Sequence, residues 1–188
     1  MNGQRPMALL SSKEVTSGEV LSTLRSMDQI DRIIAEWQHS QPSLDTTPLA
    51  VLGRIARLMG YFEQVRDGVL AQHQLKYGEF DVLLTLRRQG EPYTLSPSQL
   101  SQSLLLTSGG ISKRIDKLEN AGLVERLPDD ADRRGVMIRL SASGLAKVNQ
   151  ALIPHTDAQL DLLAHLPASD QQALATLLQR WLLALENT

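Results

Sequence analysis

The chain has 188 residues, no cysteine, a formal net charge of −2, and 42% hydrophobic against only 4% aromatic residues. That length suits one compact domain, and the absence of cysteine excludes disulfides, thiolate metal sites and cysteine-based peroxide sensing. Its Leu-rich runs are short and interrupted, which excludes a signal-like or membrane-spanning segment and leads us to expect a soluble, cytoplasmic protein.

Residues 1–25 mix glycine, proline and serine with two short apolar pairs, Leu9-Leu10 and Val20-Leu21, so disorder and a short extra helix both stay open. From Asp28, a capping residue type, Ile30, Ile33, Ile34 and Trp37 recur at helical spacing until Ser40, before Pro42. A second helix opens on Thr46-Thr47-Pro48 and carries Leu49, Leu52, Ile55, Ala56, Met59, Phe62, Val65 and Val69 to about Gln74. Tyr77-Gly78-Glu79 reads as a break. Phe80, Leu83, Leu84 and Leu86 then drive a third helix, which ends at Gln89-Gly90-Glu91-Pro92, and Tyr93 to Leu95 suits a short strand.

The stretch from Ser96 to Leu140 carries the most information. Pro97 follows Ser96 at a first helical position, and Leu100 and Leu104 give that short helix one apolar face. Thr107 and Ser108 are N-cap types for the next helix, in which Ile111, Ile115 and Leu118 form a buried stripe. Its opposite face holds Ser108, Gly109, Ser112, Lys113 and Lys117. Gly122 is placed to end it in the left-handed conformation. Val124 to Leu127 and Val136 to Leu140 alternate as strands around an exposed turn that ends in Arg133-Arg134. Two helices followed by an arginine-tipped hairpin are the plan of a winged helix-turn-helix. Small and basic residues on an exposed helix face suit a major groove, and an arginine turn suits a minor groove.

After the hairpin, Ser141-Ala142-Ser143 caps a helix carrying Leu145, Val148, Leu152, Ile153, Leu160, Leu163 and Leu166, with Pro154 expected to kink or interrupt it. Pro167-Ala168-Ser169 starts the last helix, whose Leu174, Leu177, Leu178, Trp181, Leu182 and Leu185 make a wide apolar surface. That surface fits packing on its own domain or, the preferred reading, a dimer interface. Two-fold readers need recognition helices about 34 Å apart.

The segments LTSGGISKRIDKLENAGLVER and DRRGVMIRLSASG, with EFDVLLTLRR upstream, resemble the MarR family of bacterial transcription regulators. The resemblance spans most of residues 28–185. It implies a mainly α protein with a small β-wing, dimerising through its N- and C-terminal helices. The expected organisation is an extension at 1–25, helices for dimerisation and ligand at 26–76, the winged helix-turn-helix at 77–140 and dimerisation helices at 141–188. The expected DNA-contacting residues are Ser108, Gly109, Ser112, Lys113 and Lys117 on the helix and Asp132, Arg133 and Arg134 on the wing. Arg134 takes the minor groove and Arg133 a phosphate. The family's paired wing Asp and Arg fall on Asp132 and Arg134, so Asp132 either orients Arg134 by a charge-assisted hydrogen bond or is a plain turn residue.

The helix Asp28 to Trp37, ahead of the usual first long helix, is similar to the urate-responsive branch of that family. By this resemblance the ligand set falls on Trp37, Asp81, Arg114 and Arg126. Trp37 would stack on a flat purine, the two arginines would pair with a planar anion, and Asp81 would neutralise them in the empty state. Phenolic and other aromatic anions are the rival ligands, and a structural salt-bridge network is the plainer reading of the three charged positions. The four histidines, His39, His73, His155 and His165, have no ligand-like spacing, and no phosphate loop, nucleophile elbow or metal-hydrolase signature occurs. No enzyme, metal or cofactor is therefore expected. The reader also carries Asp116, Glu119, Asp129 and Asp130, and this mixed charge leaves a second class open: a dimeric winged-helix interaction module that does not read DNA.

Overall fold

The computed structural model describes residues 27–104, 107–129 and 135–187. In chain order these form α1 (Gln29–Ser40), a π-helical turn (Leu49–Gly53), α2 (Arg54–Gln72), α3 (Tyr77–Arg87), β1 (Thr94–Leu95), α4 (Pro97–Ser103), α5 (Ser108–Asn120), β2 (Val124–Pro128), β3 (Val136–Leu140), α6 (Ala142–Leu163) and α7 (Ala168–Glu186). The chain divides into two compact units, one ending at Met59 and the other starting at Gly60.

In the first unit a reciprocal cap starts α1. The Asp31 N–H donates to the Asp28 carboxylate at 2.9 Å, and the Asp28 N–H donates to the Asp31 carboxylate at 3.1 Å. Arg54 gathers both carboxylates, with Nε donating to Asp28 at 2.8 Å and Nη2 to Asp31 at 2.5 Å, while Nη1 donates to the Ala50 carbonyl at 2.9 Å. Ile30 is buried, whereas Trp37 on the same helix is 45% exposed.

The second unit is built around α3. Phe80, Val82, Leu83 and Leu86 of this helix pack with Leu100 of α4, Ile111, Ile115 and Leu118 of α5, Ile138 of β3, and Val148 and Ala151 of α6, all buried. Phe80, Leu83 and Leu86 of α3 and the Ile111, Ile115 and Leu118 stripe of α5 are thus turned inward as read from the sequence, whereas Leu52, Met59, Ile153, Leu160, Leu163 and the leucines of α7, read as stripe positions too, are exposed. The break before α3 falls earlier than expected. Gln74 adopts φ 53°, Leu75 N–H donates back to the Leu70 carbonyl at 3.0 Å, and Tyr77 and Gly78 are already helical. Glu79 explains the shift, because its carboxylate accepts the Lys76 N–H at 3.1 Å and so caps the first turn of α3. Pro154 does not interrupt α6, which is helical from Ala142 to Leu163.

The three strands form one antiparallel sheet in the order β1-β3-β2, with Thr94 opposite Arg139 and Val124 to Pro128 opposite Leu140 to Val136. Glu125 and Arg139, directly opposed, form an ion pair at 2.8 Å. The hairpin is locked to α6 at its base. Gly122 takes φ 68°, the hydroxyls of Ser141 and Ser143 each donate to its carbonyl at 2.6 Å, and the Ser141 N–H donates to the Leu123 carbonyl at 3.1 Å. Ser141 also caps α6, accepting the Gly144 N–H at 2.9 Å. None of the residues of α7 is buried, and Leu177, Leu182 and Leu185 face outward along it.

Candidate nucleic-acid interface

Two caps set the helix-turn-helix. Ser96 accepts the Gln99 N–H at 3.2 Å and its own N–H donates to the Gln99 side chain at 2.8 Å, which fixes the start of α4. Thr107 accepts the Gly110 N–H at 3.3 Å and starts α5. With Ile111, Ile115 and Leu118 buried, helical geometry turns Gly109, Ser112 and Lys113 outward, and all three are exposed. Ser108 is the first residue of α5. Lys117 lies further along the same helix, but its ammonium is engaged by the carboxylate of Glu79 on α3. That ammonium helps hold Glu79 below the ordinary carboxylate range, against the effect of burial. The β2–β3 hairpin follows, and the Asp129 N–H closes the base of its tip on the Gly135 carbonyl at 3.1 Å. The expected wing residues Asp132, Arg133 and Arg134 lie outside the described residues.

Of the expected ligand set, the second unit brings Asp81 and Arg114 into one electrostatic neighbourhood. Asp81 is half-buried. Burial pushes its carboxyl above the ordinary range, and Arg114, then Arg88 and Arg66, pull it back. Arg114 donates from Nη1 to the Gly78 carbonyl at 3.4 Å, and it lies so close over α3 that a Cβ on Gly78 would sit 2.7 Å from its guanidinium carbon. Arg126, at the start of the hairpin, is instead turned to the carboxylates of α5. It pairs with Asp116 at 2.5 Å and with Glu119, and both hold it firmly protonated. Trp37 stands on α1 in the first unit.

Sequence reasoning misses two buried polar residues of the second unit, of which Arg66 acts electrostatically on Asp81. Arg66 of α2 is buried, with its guanidinium over the Tyr77 ring at 3.9 Å and near the Phe62 ring at 5.6 Å, and with Nε donating to Asp67 at 2.8 Å. His155 of α6 is buried edge-on to Phe80, ring centroids 4.9 Å apart. The signal that could have found them is position. Both are polar residues on otherwise apolar helical stripes, Arg66 after Phe62 and His155 after Val148 and Ala151.

Burial, and after it the charge of Arg66, depress His155 below its ordinary value of 6.5. The unfolded chain therefore takes up this proton first as pH falls, and the folded state loses stability from near 6.5 down to the depressed value. Urea denaturation should show a lower midpoint at about pH 5.5 than at about pH 7.5, and His155→Leu should reduce that drop. An equal drop in wild type and variant excludes His155 as its source.

Among the described residues no group of acidic or histidine side chains is arranged to hold a metal, and no helix is long and apolar enough to cross a membrane.

The sequence pattern of the MarR family matches residues 73–135. The transcriptional regulator PecS of Dickeya dadantii is 34% identical over 152 residues, covering 81% of this chain and 92% of PecS. The chain belongs to the MarR family. A solved cysteine-to-serine mutant of Escherichia coli MarR in complex with operator DNA is 27% identical, has a TM-score of 0.65, and aligns over 74% of this chain and 99% of that one. AbsC, a MarR-family regulator from Streptomyces coelicolor, shares the fold with a TM-score of 0.70 over 77% of this chain and 98% of its own, at 20% identity. MarR-family proteins are DNA-binding transcription regulators, and this chain is one of them rather than an enzyme.

Proposed function

We propose that the protein is a homodimeric repressor that holds a pseudo-palindromic operator and releases it when a small aromatic anion binds, with urate as the first candidate. The observation that carries this reading is the double duty of α5. One face presents Gly109, Ser112 and Lys113 outward, and another carries Arg114 over Gly78 beside Asp81. An anion competing with Asp81 for Arg114 acts on the same rigid helix that faces DNA, so the two binding events are coupled. Dimerisation is supported by the exposed leucines of α7 and by exposed Ile153 and Leu160 of α6, apolar side chains that a second copy would cover. A second copy covering it supplies the second recognition helix that a two-fold operator needs.

The deciding experiment is an anisotropy titration of labelled DNA from immediately upstream of the gene, at fixed salt, with urate then added to the complex. The reading requires complex formation followed by release, and a complex that ignores both urate and phenolic anions removes the ligand half of it. Trp37→Phe and Arg126→Ala are each expected to shift the urate release curve to higher concentration while leaving DNA affinity unchanged. Unchanged release in both removes those residues from the ligand set. Gly78→Ala should do the same by another route. The new methyl group forces the Arg114 guanidinium aside, at small cost in stability because the obstructing group is the end of a flexible side chain.

A further inference from the structure

A groove of about 410 Å³ opens in the second unit where the end of α2, the start of α3 and the end of α5 converge. Its apolar lining is Ala71, Leu75, Leu118, Ala121 and Leu123. Leu75 and Leu118 are buried and form the floor, whereas Ala71 and Ala121 are exposed, and their short side chains leave the space open. The left-handed Gln74 shapes this end of α2, turning the chain back so that the Leu75 N–H reaches the Leu70 carbonyl at 3.0 Å. The charged lining is Lys76, Glu79 and Lys117. The Lys117 ammonium pairs with one oxygen of the Glu79 carboxylate, and the other oxygen accepts the Lys76 N–H at 3.1 Å. Among the described residues no second carboxylate lines the groove. Two lysines thus stand against one glutamate, and the lining carries a net positive charge.

We propose that this groove binds an amphipathic monocarboxylate, an anion with one carboxylate on a compact apolar body, at a site separate from Asp81 and Arg114, neither of which lines it. The volume lies in the range of small-molecule sites, roughly 300–1,000 Å³. A lysine ammonium is a compact charge with three donors, so Lys117 can keep Glu79 and still donate to an incoming carboxylate, while Lys76 supplies the balancing charge. The leucines and alanines take the apolar body out of water. The same lining disfavours other classes. A cation meets two ammonium groups and is repelled. A purine finds no ring to stack on, because no aromatic residue lines the groove. A dicarboxylate brings more negative charge than the lining balances, and a neutral apolar molecule gains the leucine floor without the charge-assisted hydrogen bond. The ligand reaches α5 at its last turn, and the site stands independently of the urate reading above.

The test uses the full chain with isotope-labelled leucine methyl groups, titrated with cyclohexanecarboxylate and followed by NMR, with cyclohexylmethanol as the neutral control. The site predicts saturable shifts at the Leu75, Leu118 and Leu123 methyls, and binding of the alcohol about tenfold weaker. Three variants separate the contributions. Lys76→Gln removes the balancing charge and should weaken binding about threefold. Ala71→Leu fills the space from an exposed helical position and should abolish the saturable shifts. Glu79→Gln keeps an oxygen for the Lys76 N–H, removes the competing negative charge, and should tighten binding severalfold. A purely structural role for Glu79 predicts no such gain. Saturating urate should leave the cyclohexanecarboxylate shifts in place. Shifts confined to other leucines, equal binding of acid and alcohol, or unchanged binding in Ala71→Leu overturns the site. Displacement by urate overturns its separateness from Asp81 and Arg114. Should a variant fail to fold, the wild-type comparison of acid with alcohol at the three named leucines still decides.

Discussion

Gly144→Ala is expected to destabilise the protein strongly, although it adds a single methyl group. The α6 N-terminus lies directly on the chain leaving α5, and a Cβ at position 144 would stand 1.9 Å from the Leu123 carbonyl oxygen and 2.8 Å from its carbon. These are backbone atoms and do not swing aside. The same carbonyl accepts the Ser141 N–H, and the neighbouring Gly122 carbonyl accepts both serine hydroxyls, so moving the strand away breaks bonds that seat the hairpin. In an open helical site Gly→Ala gains about 1 kcal/mol. Here overpacking reverses the sign, with an expected loss of about 3 kcal/mol or more and a fall in melting temperature on the order of 10 °C. Gly68→Ala is the control. That position lies within α2 with nothing within 4 Å of the added methyl, and the variant should be as stable as wild type or slightly more so. A Gly144→Ala protein that melts with wild type contradicts the packing of α6 against Leu123.

The fold is legible in the sequence where one force dominates. Spacing alone marks Ile111, Ile115 and Leu118 as a buried stripe, and they are buried; Gly122 is left-handed, as its place after Asn120-Ala121 suggests. Serine and threonine caps at Ser96, Thr107 and Ser141 are readable because a short hydroxyl side chain satisfies helix N–H groups that have no other partner. What the sequence hides depends on partners that no local pattern names. Tyr77-Gly78-Glu79 looks like a breaker, yet it opens α3, because the Glu79 carboxylate turns back to cap Lys76. The pairing of Arg126 with Asp116 and Glu119, and of Lys117 with Glu79, is set by how α5 lies against its neighbours, and no periodicity encodes it. Arg66 and His155 escape sequence reasoning on the same grounds. Each sits at a stripe position where an apolar residue is expected, and the rings that hold it come largely from other helices.

Lys113→Ala and Arg134→Ala are each expected to weaken operator binding about tenfold at fixed salt. Charge and counterions set this size. Lys113 is exposed on α5 beyond the buried stripe, and Arg134 belongs to the wing turn in the sequence. A lysine or arginine that meets a phosphate displaces condensed counterions, so removing it flattens the plot of log affinity against log salt by about one unit for each phosphate left unpaired. An arginine inserted in the minor groove gains further from its negative potential, so Arg134→Ala should lose affinity most on operators with A·T-rich flanks. Lys117→Ala separates this account from general loss of positive charge. Its ammonium is already compensated by Glu79, so the variant should change the salt slope less than Lys113→Ala does. Glu79→Gln, which frees that ammonium, should steepen the slope. Equal slopes for Lys113→Ala, Lys117→Ala and wild type, measured over about 50 to 200 mM salt, mean that α5 does not meet phosphates through these lysines. A slope kept at the wild-type value with relaxed sequence preference in Lys113→Ala instead places Lys113 on a base edge.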